Sequence, residues 1–348
     1  MKRVDRTVLS ALLPLLLCLC AGKAGAGPID VPVMTQNLYV GADATPVLSN
    51  PTPATIAAAF QSVIANNFPA RAGAIANEAA SAGGPLLIGL QETAIITSPN
   101  GTLDYAQILV NALAARGLHY AIAGVHTGFQ IPAAGFSLTD REVVLARTDV
   151  PGFAVTGSEA HTFVNDVVLS TPVGPFPLQR GYVLVDATLD GVPFEFVSTH
   201  LDETHSSAQP AEAGEILARL AMTSEPELVV GDFNARPTEP TYAVMVAAGF
   251  TDVTAVVGAT GPTCCQSPDL DNPVSQLTNR YDYIFERGFS SIDGALLVGN
   301  TPFENVRPLW PSDHAGVIVV VDVPEPSAAA LFILGIFVVP ALRLRIRS

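Results

Sequence analysis

Leu228-Val229-Val230-Gly231-Asp232-Phe233-Asn234-Ala235-Arg236, past the middle of the chain, decides how everything around it is read. Leu228 to Val230 form a short apolar strand with both faces buried, and Gly231 marks its end. Asp232 and Asn234 stand two apart on extended backbone, so their side chains leave the same face. A carboxylate beside a carboxamide can bind a hard cation or a phosphate oxygen, or orient a water molecule. It can also do no more than satisfy the backbone donors of a loop. These residues do not choose among the readings; the rest of the chain does.

Working outward, a helix from Ala211 to Met222 leads into this strand and another from Pro240 to Ala248 follows it. Upstream, Arg180 to Leu189 and Val192 to Thr199 form a hairpin across the two-residue turn Asp190-Gly191. Further strands are expected over Val31–Leu38, Pro85–Gln91, Tyr120–Ala123 and Glu142–Arg147, then over Tyr281–Phe285, Leu296–Val298 and Gly316–Val321. Helices are expected over Pro53–Ala65, Ala70–Ala80 and Leu103–Ala115, the last closed by Gly117. Gly124–Thr139 and Gly258–Asn279 read as long irregular excursions. Strands outnumber helices and several are joined as hairpins, so mixed sheets flanked by helices fit best.

The 348 residues are 49% hydrophobic, with no repeat and no long low-complexity tract, which favours a single large core. Both ends differ from the middle. Residues 1–26 read as a secretion signal: Lys2, Arg3 and Arg6, an apolar run from Val8 to Cys20, then Ala24-Gly25-Ala26 as a cleavage site. A buried N-terminal helix or an uncleaved anchor is the other reading. Residues 323–348 carry Val323-Pro324-Glu325-Pro326, an apolar stretch from Ala328 to Leu342, and Arg343, Arg345 and Arg347. At about 1.5 Å per residue that stretch nearly crosses a hydrocarbon core of about 30 Å, and the arginines would stay on the cytoplasmic side. The tail closely resembles the PEP-CTERM sorting signal. That resemblance implies export in a Gram-negative bacterium, transient anchoring in the inner membrane, processing by an exosortase-type enzyme, and residence in the cell envelope or extracellular matrix.

Without these ends, residues 27–322 hold ten arginines, no lysine and thirty acidic residues, a formal net charge of −20. Such a surface repels polyanions and retains divalent cations, so extended nucleic-acid binding is disfavoured. Cysteine usage is sparse. Cys18 and Cys20 leave with the signal, and Cys264-Cys265 can pair within the chain only as a vicinal disulfide, stay as thiols, or link two chains. The usual zinc-ligand spacings are absent.

The polar residues that interrupt the apolar pattern sit at strand ends: Asn37, Glu92, His200, Asp232 with Asn234, Asp282, and Asp313-His314. If those ends cluster, like charges would raise each other's pKa unless a cation neutralised them, and oxygen ligands point to Mg²⁺, Mn²⁺ or Ca²⁺. Asp282 alternates with Tyr281 and Tyr283 and so can face a site while they pack. Pro311 suggests a loop in which both Asp313 and His314 turn inward. His119, His126, His161 and His205 are read as structural.

Gln36-Asn37, Leu90-Gln91-Glu92, Ser198-Thr199-His200-Leu201, Gly231-Asp232-Phe233-Asn234, Arg280-Tyr281-Asp282-Tyr283-Ile284 and Ser312-Asp313-His314 resemble, in type and order, the endonuclease/exonuclease/phosphatase superfamily. The resemblance implies a four-layered α/β sandwich, two mixed β-sheets packed face to face with helices outside, and metal-dependent cleavage of phosphate esters. It makes Glu92 the principal metal ligand, with Asn37 and Asp313 close to the ion. Asp232 would position or deprotonate water, Asn234 hold a phosphate oxygen, and His200 bind phosphate or assist the leaving group. His314, oriented by Asp282, would act on the phosphate as acid, base or charge stabiliser. Arg141, in Asp140-Arg141-Glu142, lies where relatives place a phosphate contact. The expectation is thus an exported phosphoesterase for a small or lipid-head-group phosphodiester. A secreted nuclease on DNA or RNA and a non-catalytic envelope or matrix module are the alternatives.

Overall fold

In the computed structural model the strand carrying Asp232 is β12 (Glu227–Asp232), buried from end to end within a six-stranded sheet. The structure describes residues 29–133, 135–203, 207–304 and 309–323. The expected secretion signal, the sorting tail beyond Val323, and His205 lie outside the described residues. Among these, no helix is long and apolar enough to cross a membrane.

The sheet runs β13 (Thr251–Asp252), β14 (Asp282–Arg287), β12, β11 (Val192–His200), β10 (Gly181–Leu189), β7 (Phe153–Thr162). Only β11 and β12 pair in parallel. Asp190 (φ 51°) and Gly191 (φ 82°) make the β10–β11 turn with both central residues at positive φ, the geometry that matches strand twist. That turn fixes the register, Gly181 opposite His200.

The second sheet runs β15 (Ser291–Val298), β16 (Gly316–Val323), β1 (Ile29–Asn37), β2 (Leu87–Gln91), β6 (Phe136–Arg147), β3 (Ile95–Ser98), β4 (Gly101–Asp104), with β5 (Tyr120–Ala133) also paired to β6. Strands β8 (Val168–Thr171) and β9 (Gly174–Pro177) form a separate hairpin. The two large sheets meet face to face. Gln91 Nε2 on β2 donates to Ser198 Oγ on β11 at 3.1 Å. A Cβ on Gly89 would sit 2.7 Å from Val230 Cγ2 and 2.8 Å from Ser198 Oγ, so the sheets approach closely here because Gly89 has no side chain. Gly89→Ala should lower stability by about 1–3 kcal/mol, as overpacking does, read from the denaturant midpoint. An unchanged midpoint would mean that the sheets yield there.

Helices α2 (Pro53–Ala65), α3 (Phe68–Ser81) and α4 (Tyr105–Ala114) cover the outer face of the second sheet, burying Phe68, Ile75, Leu109 and Leu113 against Ile88, Leu90, Val143 and Leu145. A short α1 (Thr45–Ser49) precedes them. Thr52 caps α2 reciprocally with Thr55, and Pro53 occupies its first turn. On the other outer face, α5 (Gln209–Leu220) and α6 (Pro240–Ala247) bury Ile216, Leu220 and Met245 against Val197, Val229 and Phe285. One turn, α7 (Val253–Val256), follows β13. The layers are helix, sheet, sheet, helix, the expected four-layered α/β sandwich.

Three local readings are corrected. Gly124–Thr139 is not an irregular loop: β5 and β6 continue through most of it as a hairpin. Its residues are largely exposed or half-buried, so no apolar alternation betrays it; cross-strand backbone bonds hold it instead. The helix expected from Leu103 starts at Tyr105, because residues 101–104 pair with β3 and Asp104 caps the helix by accepting from Gln107 N. The edge strand β7, with few buried residues, carries no strong apolar signal and was not anticipated.

Candidate active site

Strand pairing does much of the assembly. Across β11, β12 and β14 the register places His200 opposite Asp232 and Asp232 opposite Asp282, one transverse row of three polar residues at one end of the sheet. In the facing sheet β1 and β2 are parallel and align Asn37 with Gln91, so Asn37 and Glu92 leave the same end. Gly231 (φ 144°) lets β12 reach that row, since a Cβ there would fall on the Thr199 backbone carbonyl. Tyr39, Glu92 and Asn234 all adopt left-handed backbone at φ 56°, 50° and 48°. Non-glycine residues rarely do so, and here they turn the chain sharply just where the polar groups project.

One amide ties the two sheets together. Asn37 Nδ2 donates to Glu92 Oε1 at 3.0 Å and to Asp232 Oδ2 at 3.1 Å, while Asn37 Oδ1 accepts from Tyr39 N at 2.9 Å. In this orientation Asn37 bridges the carboxylates through its nitrogen. Glu92 Oε2 accepts from Val40 N at 2.9 Å. Asp232 Oδ1 accepts from Asn234 N at 2.9 Å, and Asn234 Nδ2 is spent on Leu201 O at 2.9 Å. Both histidines converge on Asp232 Oδ2, His200 Nε2 at 3.7 Å and His314 Nε2 at 3.6 Å. Asp282 Oδ2 lies 2.8 Å from His314 Nδ1, the orienting contact expected. Asp313 shares with Glu92 the wall of a cleft of about 350 Å³.

The two imidazoles differ electrostatically. Burial and the charge of Arg180 hold the His200 pKa well below the ordinary value, so this ring is neutral. Arg180 Nη1 stands 3.0 Å from His200 Nδ1, and a guanidinium can only donate, so the His200 proton resides on Nε2, facing Asp232. Burial also opposes charge on His314, but Asp282, Asp232 and Asp313 together outweigh it and hold its pKa well above the ordinary value. Asp232 is pushed up to about 7, chiefly by burial and then by Asp282, against the pull of His314. Asp313 is likewise pushed up to about 7, by burial and by Glu92.

Asp232 and Asp313, both raised by burial and by neighbouring carboxylates, with Glu92 on the same cleft as Asp313, fit a hard divalent cation. Glu92 and Asp313 would hold it. Replacing Asp282 by Asn keeps an acceptor for His314 Nδ1 but removes the charge that favours the imidazolium. We expect kcat to fall by about 10–100-fold, as for orienting partners generally, with an unchanged thermal midpoint. Full activity would show that His314 needs no charged partner.

Arg141 is engaged by Thr93 and Asp104. Its Nε donates to Thr93 O at 2.9 Å and its Nη2 to Asp104 Oδ1 at 2.6 Å, so it braces the turn that presents Glu92. His126 and His161 meet Glu142 and Glu215, consistent with structural roles. Cys264 and Cys265 are joined as a disulfide, with Cys265 Sγ 3.7 Å from His314 Nε2.

Two arginines were not singled out from sequence. Arg71 is fully buried and its guanidinium donates to Leu38 O, Tyr39 O, Asn66 O and Pro311 O, clamping the exit of β1 to the loop bearing Asp313. Nothing local marks it. Arg180 also meets Asp140 at 3.0 Å and Glu203 at 2.5 Å. A signal for Arg180 did exist: the Asp190-Gly191 turn sets Gly181 opposite His200, which puts Arg180 beside that histidine.

The sequence matches the endonuclease/exonuclease/phosphatase family over residues 34–314. Among curated proteins, none matches it. Several solved structures share the fold. A family member from Bacteroides thetaiotaomicron has a TM-score of 0.58 at 20% identity, covering 86% of this chain and 99% of that one. A mannosyl-6-phosphatase from the same organism has a TM-score of 0.55 at 18% identity, covering 83% and 98%. Truncated TDP2 of Caenorhabditis elegans has a TM-score of 0.51 at 14% identity, covering 84% and 98%. The family match begins on the strand that carries Asn37 and ends on His314 itself, spanning all the residues gathered above. The chain therefore belongs to the endonuclease/exonuclease/phosphatase family of metal-dependent phosphoester hydrolases.

Proposed function

We propose that the protein is an exported, Mg²⁺-dependent phosphoesterase acting on small-molecule or lipid-head-group phosphodiesters at the cell envelope or in the extracellular matrix. The observation that carries the catalytic part is Asp232, held between His200 and His314 and tied through Asn37 to Glu92. The complete set of acidic, amide and imidazole groups argues against a merely binding module. The lysine-free, acidic domain supports a compact substrate over a long polyanion. A mannosyl-6-phosphatase among the structural relatives is compatible with a small phosphoester. Export is inferred from the basic–apolar start and the arginine-ended apolar tail.

Glu92 and Asp313 would hold a divalent cation, which when bound would neutralise charge on the phosphate oxygens. Asp232, with its raised pKa, is basic enough to take a proton from water aligned against phosphorus. Neutral His200 offers Nε2–H to a phosphate oxygen. The His314 imidazolium stabilises developing negative charge and can give its proton to the leaving oxygen, while Asp282 keeps the ring in place. Asn234 Nδ2 gives one of its two hydrogens to Leu201 O and keeps the second for a phosphate oxygen.

The test is hydrolysis of bis(p-nitrophenyl) phosphate beside a panel of monoesters, phospholipids, DNA and RNA. Turnover that stops with EDTA and returns with Mg²⁺, strongest on compact diesters, is expected. Turnover indifferent to EDTA would refute metal dependence, and a preference for DNA or RNA would make the protein a nuclease.

A further inference from the structure

The acidic cleft does not end at the carboxylates. Beside it lies an apolar pocket of about 100 Å³ lined in part by Ile56, Phe60 and Val63 of α2. Val40, Ile131 and Leu138 line both the pocket and the cleft holding Glu92, Arg180 and Asp313, so the two spaces share a wall. Val40 links them most directly: its N–H donates to Glu92 Oε2 at 2.9 Å while the residue borders the pocket. The Phe60 and Phe136 rings, centroids 4.5 Å apart, are both part of the pocket lining. Asp43 and Ser137 supply its only charged or hydroxyl side chains.

A space of this size equals the liquid share of about three or four waters, yet its walls offer them few partners. Water there is cheap to displace, and an apolar group entering gains its full transfer free energy. A phosphate drawn to the cation that Glu92 and Asp313 would hold leaves its ester substituent to follow the shared wall toward Phe60. We propose that this pocket binds an apolar alkyl substituent of the phosphoester substrate, making the preferred substrate amphiphilic. The inference rests on the phosphoesterase reading and narrows its substrate class.

The test uses the native protein with Mg²⁺ and two homologous series. The first is alkylphosphonates from methyl to hexyl, measured by calorimetric affinity; the second is p-nitrophenyl alkyl phosphodiesters of the same lengths, measured by kcat/KM. In both, each added methylene should strengthen the readout by about threefold to fourfold, levelling off after about four carbons. Ala59 also lines the pocket and makes no part of the catalytic set. Ala59→Leu should erase the gain for butyl and hexyl while leaving the methyl compounds unchanged, and Phe60→Ala should move the plateau to longer chains. Flat affinity along the phosphonate series overturns the proposal. Rising phosphonate affinity without turnover of any diester would leave the pocket standing and sink the hydrolase reading instead.

Discussion

Glu92→Gln abolishes turnover, with kcat down by about a thousandfold or more, while the protein stays folded. Both Glu92 oxygens already accept hydrogen bonds, from Asn37 Nδ2 at 3.0 Å and Val40 N at 2.9 Å. Gln preserves the volume and one of those acceptors, and turns the other into a donor facing a donor. The cost to stability is therefore about 1–3 kcal/mol, that of one unmade buried hydrogen bond. The cost to catalysis is larger because the negative charge that retains a divalent cation is gone, and such an ion contributes several kcal/mol of transition-state stabilisation. His314→Ala should match it in activity, since it removes the one imidazole held in the charged form. Steady-state kinetics with saturating Mg²⁺ and circular dichroism melting separate the two effects. Glu92→Gln activity within tenfold of the parent would remove Glu92 from the role assigned to it.

Arg180→Met costs about 3–5 kcal/mol of stability, the penalty for breaking a buried ion pair from one side. The Arg180 side chain is 4% exposed, Asp140 is 1% and Glu142 0%, so the carboxylates left behind cannot turn to solvent. Asp140 is already under strain. Burial first, then Glu142, raises Asp140 well above the ordinary carboxylate range even with Arg180 in place. Without the guanidinium, Asp140 takes up a proton, and the double variant Arg180→Met/Asp140→Asn should recover part of the loss. The same substitution frees His200 Nδ1 and lets that imidazole's pKa move up toward its ordinary value, observable in the ring resonances. A loss below about 1 kcal/mol in urea unfolding would show that the cluster is better hydrated than its burial implies.

Legibility in the sequence followed locality. The strand Leu228–Val230, the Asp190-Gly191 turn and the helix from Pro53 to Ala65 were read nearly to the residue, because apolar run length, a two-residue turn and a capped start are properties of neighbouring residues. The β5–β6 hairpin and β7 escaped because cross-strand backbone bonds, rather than a buried stripe, hold them. Within the site, the residues proposed to act on the phosphate or hold the ion were each identifiable as a polar group ending an apolar run, strengthened by the family's order of motifs. Arg141 was identifiable in position, but its partners were not; its guanidinium faces Thr93 and Asp104.

The sequence by itself determined that carboxylates, amides and imidazoles would end buried strands, since the pleat alternates faces and apolar runs exclude charge along their length. Only the tertiary structure decided which of those ends meet. Asn37 reaches Asp232 across 195 positions, and Arg71 clamps Pro311 across 240, through two sheets packing on each other. It alone separated the two histidines into a neutral donor and a cation, and opened an apolar pocket beside an acidic cleft. Such features depend on distance, burial and shared neighbours, quantities that exist only after the chain has folded.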